Sequence, residues 1–202
     1  MTFIFFHGSF STPQDAWFPW LKLQLEQAGH QVIAPQFPVD VWKDVGALHP
    51  SQYNPTQNLT AWYKTFEEIK DTIINKPDLS FIGHSIGPLF ILYLVEKYGI
   101  QLKYAYFVAP FFHLNDESAI VDKANASFYK TDFDFPKLRH LISRSTVFYS
   151  DDDPYVGNEK SLVFARKLNS RVIALKGLGH MGIESNMSKF PELLEIIKQD
   201  AR

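Results

Sequence analysis

The chain has 202 residues, of which 46% are apolar and 21% charged, with 10 glycines and 12 prolines, so we expect one globular domain over residues 1–202 and exclude disordered and collagen-like classes. The 20 basic and 22 acidic residues give a formal net charge of −2, so the chain lacks the excess of positive charge that favours binding to nucleic acid or to an anionic membrane. Since the chain has no cysteine, disulfides, thiolate zinc sites and a thiol nucleophile are excluded.

The first half of the chain alternates between strand and helix patterns. In order, these patterns predict a strand at Thr2–Phe6, a helix from Trp17 to Ala28 that Gly29 ends, a strand at Val32–Ala34, an irregular loop at 35–56, and a helix carrying the apolar stripe Leu59, Trp62, Phe66, Ile69 and Ile73. Asn54-Pro55 suits an N-cap followed by proline, so we expect that last helix to begin there. The loop is long for a compact domain, which is typical of a loop at a functional site.

The second half continues the alternation. It predicts a strand at Leu79–Ile82, a helix from Leu89 to Tyr98, a strand at Leu102–Val108, a short helix near Pro136–Ile142, a strand at Thr146–Tyr149, a helix at Asn158–Leu168, a strand at Arg171–Leu175, and a final helix with Phe190, Leu193, Leu194 and Ile197. The rest of the stretch from 110 to 141 has no clear period. The alternation indicates an α/β fold with a mostly parallel sheet and helices on both faces.

The sequence also bears on location. Residues 1–6 are apolar but short, carry no basic n-region and run straight into His7-Gly8, so we expect a strand and not a signal peptide. No apolar run approaches the roughly 18 residues of a membrane span. We therefore expect a cytoplasmic protein that does not enter the membrane.

The motif that carries chemistry is Gly83-His84-Ser85-Ile86-Gly87, between a predicted strand and a predicted helix. In that context G-x-S-x-G is typical of a nucleophile elbow, a sharp turn that holds the serine in a strained conformation. Glycine is needed on both sides because strand and helix approach closely there. The motif therefore predicts that Ser85 is a nucleophile at the carboxyl end of the sheet.

A serine hydroxyl needs a base to take its proton and an acid to orient the base. An acidic turn with Asp151, Asp152 and Asp153 follows one predicted strand, and a glycine-rich loop with His180 follows the next. Reacting groups in open α/β sheets gather at the carboxyl edge, where both loops lie. We therefore expect one of these aspartates and His180 to complete a triad with Ser85.

The attack of Ser85 on a carbonyl produces an oxyanion that needs N–H donors. The backbone N–H of Ile86, at the start of the helix, is one candidate. The second should come from the loop after the first strand, where Ser9 is the expected donor and Phe10 the alternative.

Two further histidines and the acidic run are expected to be structural. His7 precedes the oxyanion loop and should order it through hydrogen bonds, while His84 should point away from the nucleophile. An EF-hand loop that starts at Asp151 would need Asp or Asn at Tyr155, Gly at Val156 and Glu at Leu162, and none of these is present. We expect no metal and no cofactor.

At these positions the chain resembles a known family. The residues that carry the resemblance are Phe5-Phe6-His7-Gly8, Trp17-Phe18-Pro19-Trp20-Leu21, Gly83-His84-Ser85-Ile86-Gly87, Asp152-Asp153-Pro154-Tyr155-Val156 and Gly179-His180. They look like the small α/β-hydrolases typified by retinoblastoma-binding protein nine and the bacterial YdeN-type hydrolases. The resemblance implies a minimal α/β-hydrolase fold with little or no cap, serine hydrolase activity, and Asp153 as the acid of the triad. Pro88 departs from the glycine or alanine usual after the elbow, but the first helical turn tolerates proline.

The expected function is hydrolysis of small carboxylic esters through an acyl-enzyme on Ser85, with Asp153 and His180. Aromatic side chains on loops at the carboxyl edge are candidates for the substrate pocket: Phe10, Trp42, Phe111, Phe112 and Tyr155. The alternatives are a protein-interaction module with an idle triad, whose partner the sequence does not identify, and a thioesterase or acyltransferase that uses the same acyl-enzyme.

Overall fold

A six-stranded sheet forms the centre of the molecule. The computed structural model describes residues 1–114 and 119–201, without the side chain of residue 119. The strands are β1 (Thr2–Phe6), β2 (Gln31–Ile33), β3 (Leu79–His84), β4 (Leu102–Val108), β5 (Ile142–Ser150) and β6 (Arg171–Leu175). They lie in the order β2-β1-β3-β4-β5-β6, and every neighbouring pair is parallel.

Helices cover both faces of the sheet. They are α1 (Phe18–Gln27), α2 (Trp42–Val45), α3 (Leu59–Ile73), α4 (Gly87–Tyr98), α5 (Ala119–Asn125), α6 (Phe135–Leu141), α7 (Asn158–Leu168) and α8 (Pro191–Asp200). The helices α1 and α8 bury apolar residues against one face. The helices α3, α4, α6 and α7 do so against the other. The predicted fold class, a parallel sheet between two helical layers, is therefore confirmed.

The central strands and α4 are apolar almost throughout because they are covered on all sides. Every residue of β1 and β3 is buried, as expected for a parallel sheet between helices. Helix α4 buries eight of its residues and ends at Gly99, whose φ of +64° places it in the left-handed region that glycine tolerates. Phe90 of this helix packs in an aromatic cluster with Phe37 and Trp62.

Helix α3 begins later than the sequence predicts. The Asn54-Pro55 prediction is wrong, because Asn58 is the N-cap and its Oδ1 accepts the Ala61 N–H at 2.9 Å. The earlier residues are held in a loop, where the Asp40 carboxylate accepts the Thr56 N–H at 3.1 Å and the Tyr53 hydroxyl at 2.7 Å.

The structure also differs from the sequence prediction in the segments that have no clear hydrophobic periodicity. The predicted irregular loop at 35–56 contains the single turn of α2, and the stretch after β4 contains α5. Strand β5 is longer than predicted because it starts directly where α6 ends. Part of that stretch, at 115–118, lies outside the described residues.

The parallel register brings the strand ends to one edge. His84 of β3 pairs with Val108 of β4, which pairs with Phe148 of β5, and Ser150 pairs with Leu175 of β6. The loops that follow β1, β3, β5 and β6 therefore leave the sheet at the same side. Within the described residues, no helix is long and apolar enough to span a membrane.

Candidate active site

The turn after β3 holds Ser85 in a left-handed backbone conformation, with φ of +59°. This conformation is unfavourable for a residue with a side chain and persists only where the surroundings impose it. The flanking glycines permit it: a Cβ on Gly83 would lie 2.7 Å from the backbone nitrogen of Pro88, and one on Gly87 would lie 2.5 Å from the carbonyl oxygen of Phe6. The strand, the turn and the helix thus have the close packing that the motif predicts.

The loop after β1 lies directly against this turn. A Cβ on Gly8 would be 3.0 Å from the Cβ of Ser85 and 3.1 Å from Nδ1 of His84. The next residue, Ser9, lines the same cavity as Ser85. The backbone of the loop, with the expected donors Ser9 and Phe10, therefore borders the serine.

Ser85, His180 and Asp153 form a continuous chain of hydrogen bonds. His180 Nε2 lies 3.0 Å from Ser85 Oγ, and His180 Nδ1 lies 2.8 Å from Asp153 Oδ2. Because Nδ1 faces a carboxylate, it carries the ring proton and leaves Nε2 as an acceptor for the serine hydroxyl. The side chain of Asp153 is only 2% exposed, and its Oδ1 accepts the N–H groups of Tyr155 and Val156 at 2.9 Å each. The carboxylate is thereby fixed in orientation.

Two ring N–H groups hold the backbone of the His180 loop. His84 Nε2 donates to the carbonyl of His180 at 2.8 Å, and Trp17 Nε1 donates to the carbonyl of Met181 at 2.9 Å. Both donors are buried. Met181 itself has a φ of +55°, so the chain turns sharply directly after the histidine. These bonds give His84 and Trp17 a specific task, namely to hold the backbone that carries the imidazole.

The acidic turn after β5 supports the same loop. Asp152 Oδ1 accepts the Gly179 N–H at 2.8 Å, and Asp151 Oδ1 accepts the Gly177 N–H at 3.0 Å. Hydrogen bonds from the Ser150 hydroxyl and the Gly179 N–H lower the pKa of the Asp152 carboxyl. Asp151 and Asp152, which are exposed, thus hold the backbone of the loop that carries His180.

His7 connects the first loop to the segment after β2. Its Nε2 accepts the Phe37 N–H at 2.9 Å, so the proton is on Nδ1, which donates to the Gly8 carbonyl at 2.9 Å. Burial lowers the pKa of His7 to about 4. The neutral ring thus fixes the backbone beside Ser85 from both of its nitrogens.

A cavity of about 440 Å³ opens above Ser85. Its lining includes four of the five predicted pocket residues, Phe10, Trp42, Phe111 and Tyr155. Phe112 does not line this cavity: its ring stacks on Phe164 with centroids 4.8 Å apart, within the core.

Sequence reasoning missed several residues at this cavity. Asn125 at the end of α5, and Ile183 and Glu184 after the His180 loop, also line it. Asn125 gave no signal because its segment has no clear period. The position of Ile183 and Glu184, directly after a glycine-rich loop with a candidate base, would have been a reason to include them. In the described part of the chain, no cluster of three or more potential metal ligands occurs.

Comparisons with known proteins bear on the family and the fold. The model of a family described as "Serine hydrolase" matches residues 3–199. The structure of the ydeN gene product from B. subtilis has a TM-score of 0.79 and 22% identity, over 98% of this chain and 97% of that chain. The Est1E structure from Butyrivibrio proteoclasticus, described with bound ferulic acid, has a TM-score of 0.67 and 14% identity, over 99% of this chain and 89% of that chain. A structure described under the metagenome-derived lipolytic enzymes LipS and LipT has a TM-score of 0.68 and 11% identity, over 98% of this chain and 91% of that chain. Among curated proteins, none matches the sequence.

Acid should destabilise the protein through two of its buried histidines, His84 and His7. Burial lowers the pKa of His84 to about 3 and that of His7 to about 4, whereas both would be near 6.5 in the unfolded chain. Below pH 6.5 the unfolded chain therefore binds protons that the folded chain rejects, and each histidine removes up to about 1.4 kcal/mol of stability per pH unit. Urea unfolding at pH 7 and pH 5 measures this loss.

Between pH 7 and pH 5, the free energy of unfolding should fall by about 1–2 kcal/mol less in His84→Gln than in the wild type, since glutamine does not titrate. His140→Gln, at an exposed position, serves as the control and should behave like the wild type. An equal pH dependence of the wild type and His84→Gln would contradict the prediction.

Proposed function

Because the chain belongs to the serine hydrolase family, we propose that it cleaves small carboxylic esters through an acyl-enzyme on Ser85. The observation that carries this proposal is the uninterrupted hydrogen-bond chain from Asp153 through His180 to Ser85, which ends at the cavity. A solvated serine would have no acceptor of this kind aligned with its hydroxyl. The family and the fold make the chain a hydrolase; the triad and the ester substrate are the proposal.

In the first step, Ser85 Oγ forms a bond to the ester carbonyl carbon, and its proton passes to His180 Nε2. Asp153 stabilises the imidazolium that forms and keeps the ring proton on Nδ1. The carbonyl π electrons move to the oxygen, which becomes an oxyanion. The N–H groups of Ser9 and Ile86 are the proposed donors to that oxyanion, with Phe10 as the alternative for Ser9.

The tetrahedral intermediate collapses when the bond to the alkoxy group breaks and His180 returns its proton to that oxygen. The alcohol leaves, and Ser85 remains acylated. Water then attacks the acyl carbon, with His180 again as the base, and the carboxylic acid is released. No cofactor is needed for either half of this reaction.

The cavity favours small apolar esters. Aromatic rings from Phe10, Trp42 and Phe111 contribute to its wall, and a volume of about 440 Å³ is at the lower end of small-molecule sites. Two structural neighbours are described with ferulic acid bound or as lipolytic, which supports a carboxylic ester as the class of substrate. A cytoplasmic location remains our proposal from the sequence.

The alternatives are less favoured. An interaction module would not require His84, Trp17 and Asp152 to hold the backbone of a loop whose histidine contacts the serine. A thioesterase or acyltransferase would use the same acyl-enzyme and would differ only in the leaving group or the acceptor.

A fluorophosphonate probe should label the protein, and Ser85→Ala should abolish the labelling, because phosphonylation requires the activated hydroxyl. Ser80→Ala is the matched control: it removes a hydroxyl from the same strand, where Ser80 Oγ is buried. That variant should be labelled like the wild type. Fluorescence of the labelled band measures both results, and labelling that survives in Ser85→Ala would refute the nucleophile assignment.

Asp153→Asn should reduce kcat/KM for a p-nitrophenyl ester by about 10⁴-fold, since an amide facing Nδ1 favours the wrong ring tautomer. Its Oδ1 can still accept from Tyr155 and Val156, so the turn is preserved. Asp152→Asn keeps the acceptor for Gly179 and should change kcat/KM by less than about tenfold. Equal losses in the two variants would refute the role of Asp153.

His84→Phe should lower kcat by on the order of 10²-fold, because the His180 backbone loses its donor and the imidazole shifts relative to Ser85. His84→Gln places an amide N–H in a similar position and should recover most of the activity. Steady-state kinetics should show the loss mainly in kcat. A fully active His84→Phe would show that this hydrogen bond does not position the base.

A further inference from the structure

Three polar side chains form a buried network beside the cavity. Ser9 Oγ donates to Asn125 Oδ1 at 2.5 Å, and Gln57 Nε2 donates to both Ser9 Oγ and Asn125 Oδ1 at 2.9 Å. Gln57 and Asn125 are 0% and 1% exposed. Neither belongs to the proposed triad, so the network requires a separate explanation.

The carbonyl of Ala124 favours one assignment of donors and acceptors, which leaves Gln57 Oε1 buried without a partner in the described part of the chain. Gln57 Nε2 also lies 3.3 Å from the carbonyl of Ala124, which can only accept, so this end of the Gln57 side chain must be the amino group. The atom of Asn125 that faces it must then be the oxygen. The carbonyl oxygen of Asn125 is thus turned to Gln57 and Ser9, and its amino group is turned away from them.

That amino group is left for a ligand. Asn125 lines the cavity, and among residues 1–114 and 119–201 its Nδ2 has no hydrogen-bond partner. A side chain that is 99% buried normally satisfies its donors. The Nδ2 atom is not fully enclosed, so the donor reaches the cavity, where an acceptor atom of a bound substrate would pair with it.

We propose that Asn125 Nδ2 donates a hydrogen bond to the substrate, and that the preferred esters carry an acceptor oxygen in the acyl group. This inference rests on the proposed function and names its substrate class more closely: apolar acyl chains with an ether, keto or ester oxygen. The aromatic wall binds the chain, and the single amide donor selects for the oxygen.

The acyl group, and not the alcohol, is the part that reaches Asn125. The alcohol oxygen must lie at His180, which protonates it. Asn125 is bonded to Ser9, whose N–H is the proposed donor to the carbonyl oxygen of the acyl group. The Ser9 side of the cavity is therefore the side of the acyl portion, and Tyr155, which packs against the His180 ring with centroids 5.3 Å apart, is on the side of the alcohol.

The test compares p-nitrophenyl hexanoate with three analogues in which an ether oxygen replaces the methylene at position 3, 4 or 5 of the chain. Each analogue has nearly the size of hexanoate and adds one acceptor. The quantity measured is the ratio of kcat/KM for the analogue to kcat/KM for hexanoate. Differences in intrinsic ester reactivity cancel when this ratio is compared between wild type and variant.

Asn125→Leu removes the donor at nearly constant size, and for at least one position of the oxygen its ratio should be about three- to tenfold lower than that of the wild type. Asn125→Asp keeps an acceptor for Ser9 and Gln57 but turns an oxygen to the substrate, so its ratio should be at least as low. Asn54→Asp adds the same charge at an exposed position and should keep the wild-type ratio. Circular dichroism checks folding, and if Asn125→Leu does not fold, Asn125→Asp decides alone.

The outcomes separate this inference from the proposed function. Ratios that are the same in wild type and variant, with hexanoate hydrolysed, would overturn the role of Asn125 and leave the hydrolase proposal intact. An equal loss for hexanoate and analogues would mean that Asn125 only positions Ser9, and would overturn the inference as well. No Ser85-dependent hydrolysis of any of the four esters would overturn both.

Discussion

The proposed chemistry depends on one steric constraint, the close approach of three backbone segments at the end of β3. Gly87 lies so near the carbonyl of Phe6 that a Cβ would be 2.5 Å from its oxygen, and Gly83 lies as tightly against the first turn of α4. Ser85 is held between them with a left-handed backbone. The same packing brings the loop after β1 beside the serine, so nucleophile and candidate oxyanion donors are positioned together.

The proposed base, His180, is held in a different way, since a glycine-rich loop has little rigidity of its own. Side chains from three separate elements hold its backbone: Trp17 before α1, His84 on β3, and Asp152 after β5. Each hydrogen bond contributes on the order of 1 kcal/mol, but together they restrict the loop at carbonyls and an N–H on both sides of the imidazole. Two of these partners are neutral rings buried in the core, which explains why the donors stay fixed while the site exchanges protons.

The sequence predicts best what local chemistry determines. The glycines around Ser85 predict the elbow, and the alternating apolar runs predict the sheet. The choice of Asp153 rests only on the resemblance to a known family, because three adjacent aspartates offer the same chemistry. The polar network of Asn125, Ser9 and Gln57 was not predictable, since it joins residues up to 116 positions apart through side chains in irregular segments. The N-cap of α3 was misplaced for a related reason: a tertiary contact from Asp40 draws the preceding residues into the loop.

This last contact gives the long loop before α3 a role. Asp40 accepts N–H groups from Thr56 and, at 3.4 Å, from Gln57, so the carboxylate fixes the backbone from which the Gln57 side chain enters the network. Gln57 then sets the orientation of Asn125, and both contact the hydroxyl of Ser9. The backbone of Ser9 is a proposed oxyanion donor, and its side chain belongs to the network that turns an amide donor toward the cavity. If both proposals hold, a displacement of Ser9 would disturb the stabilisation of the oxyanion and the recognition of the acyl group together.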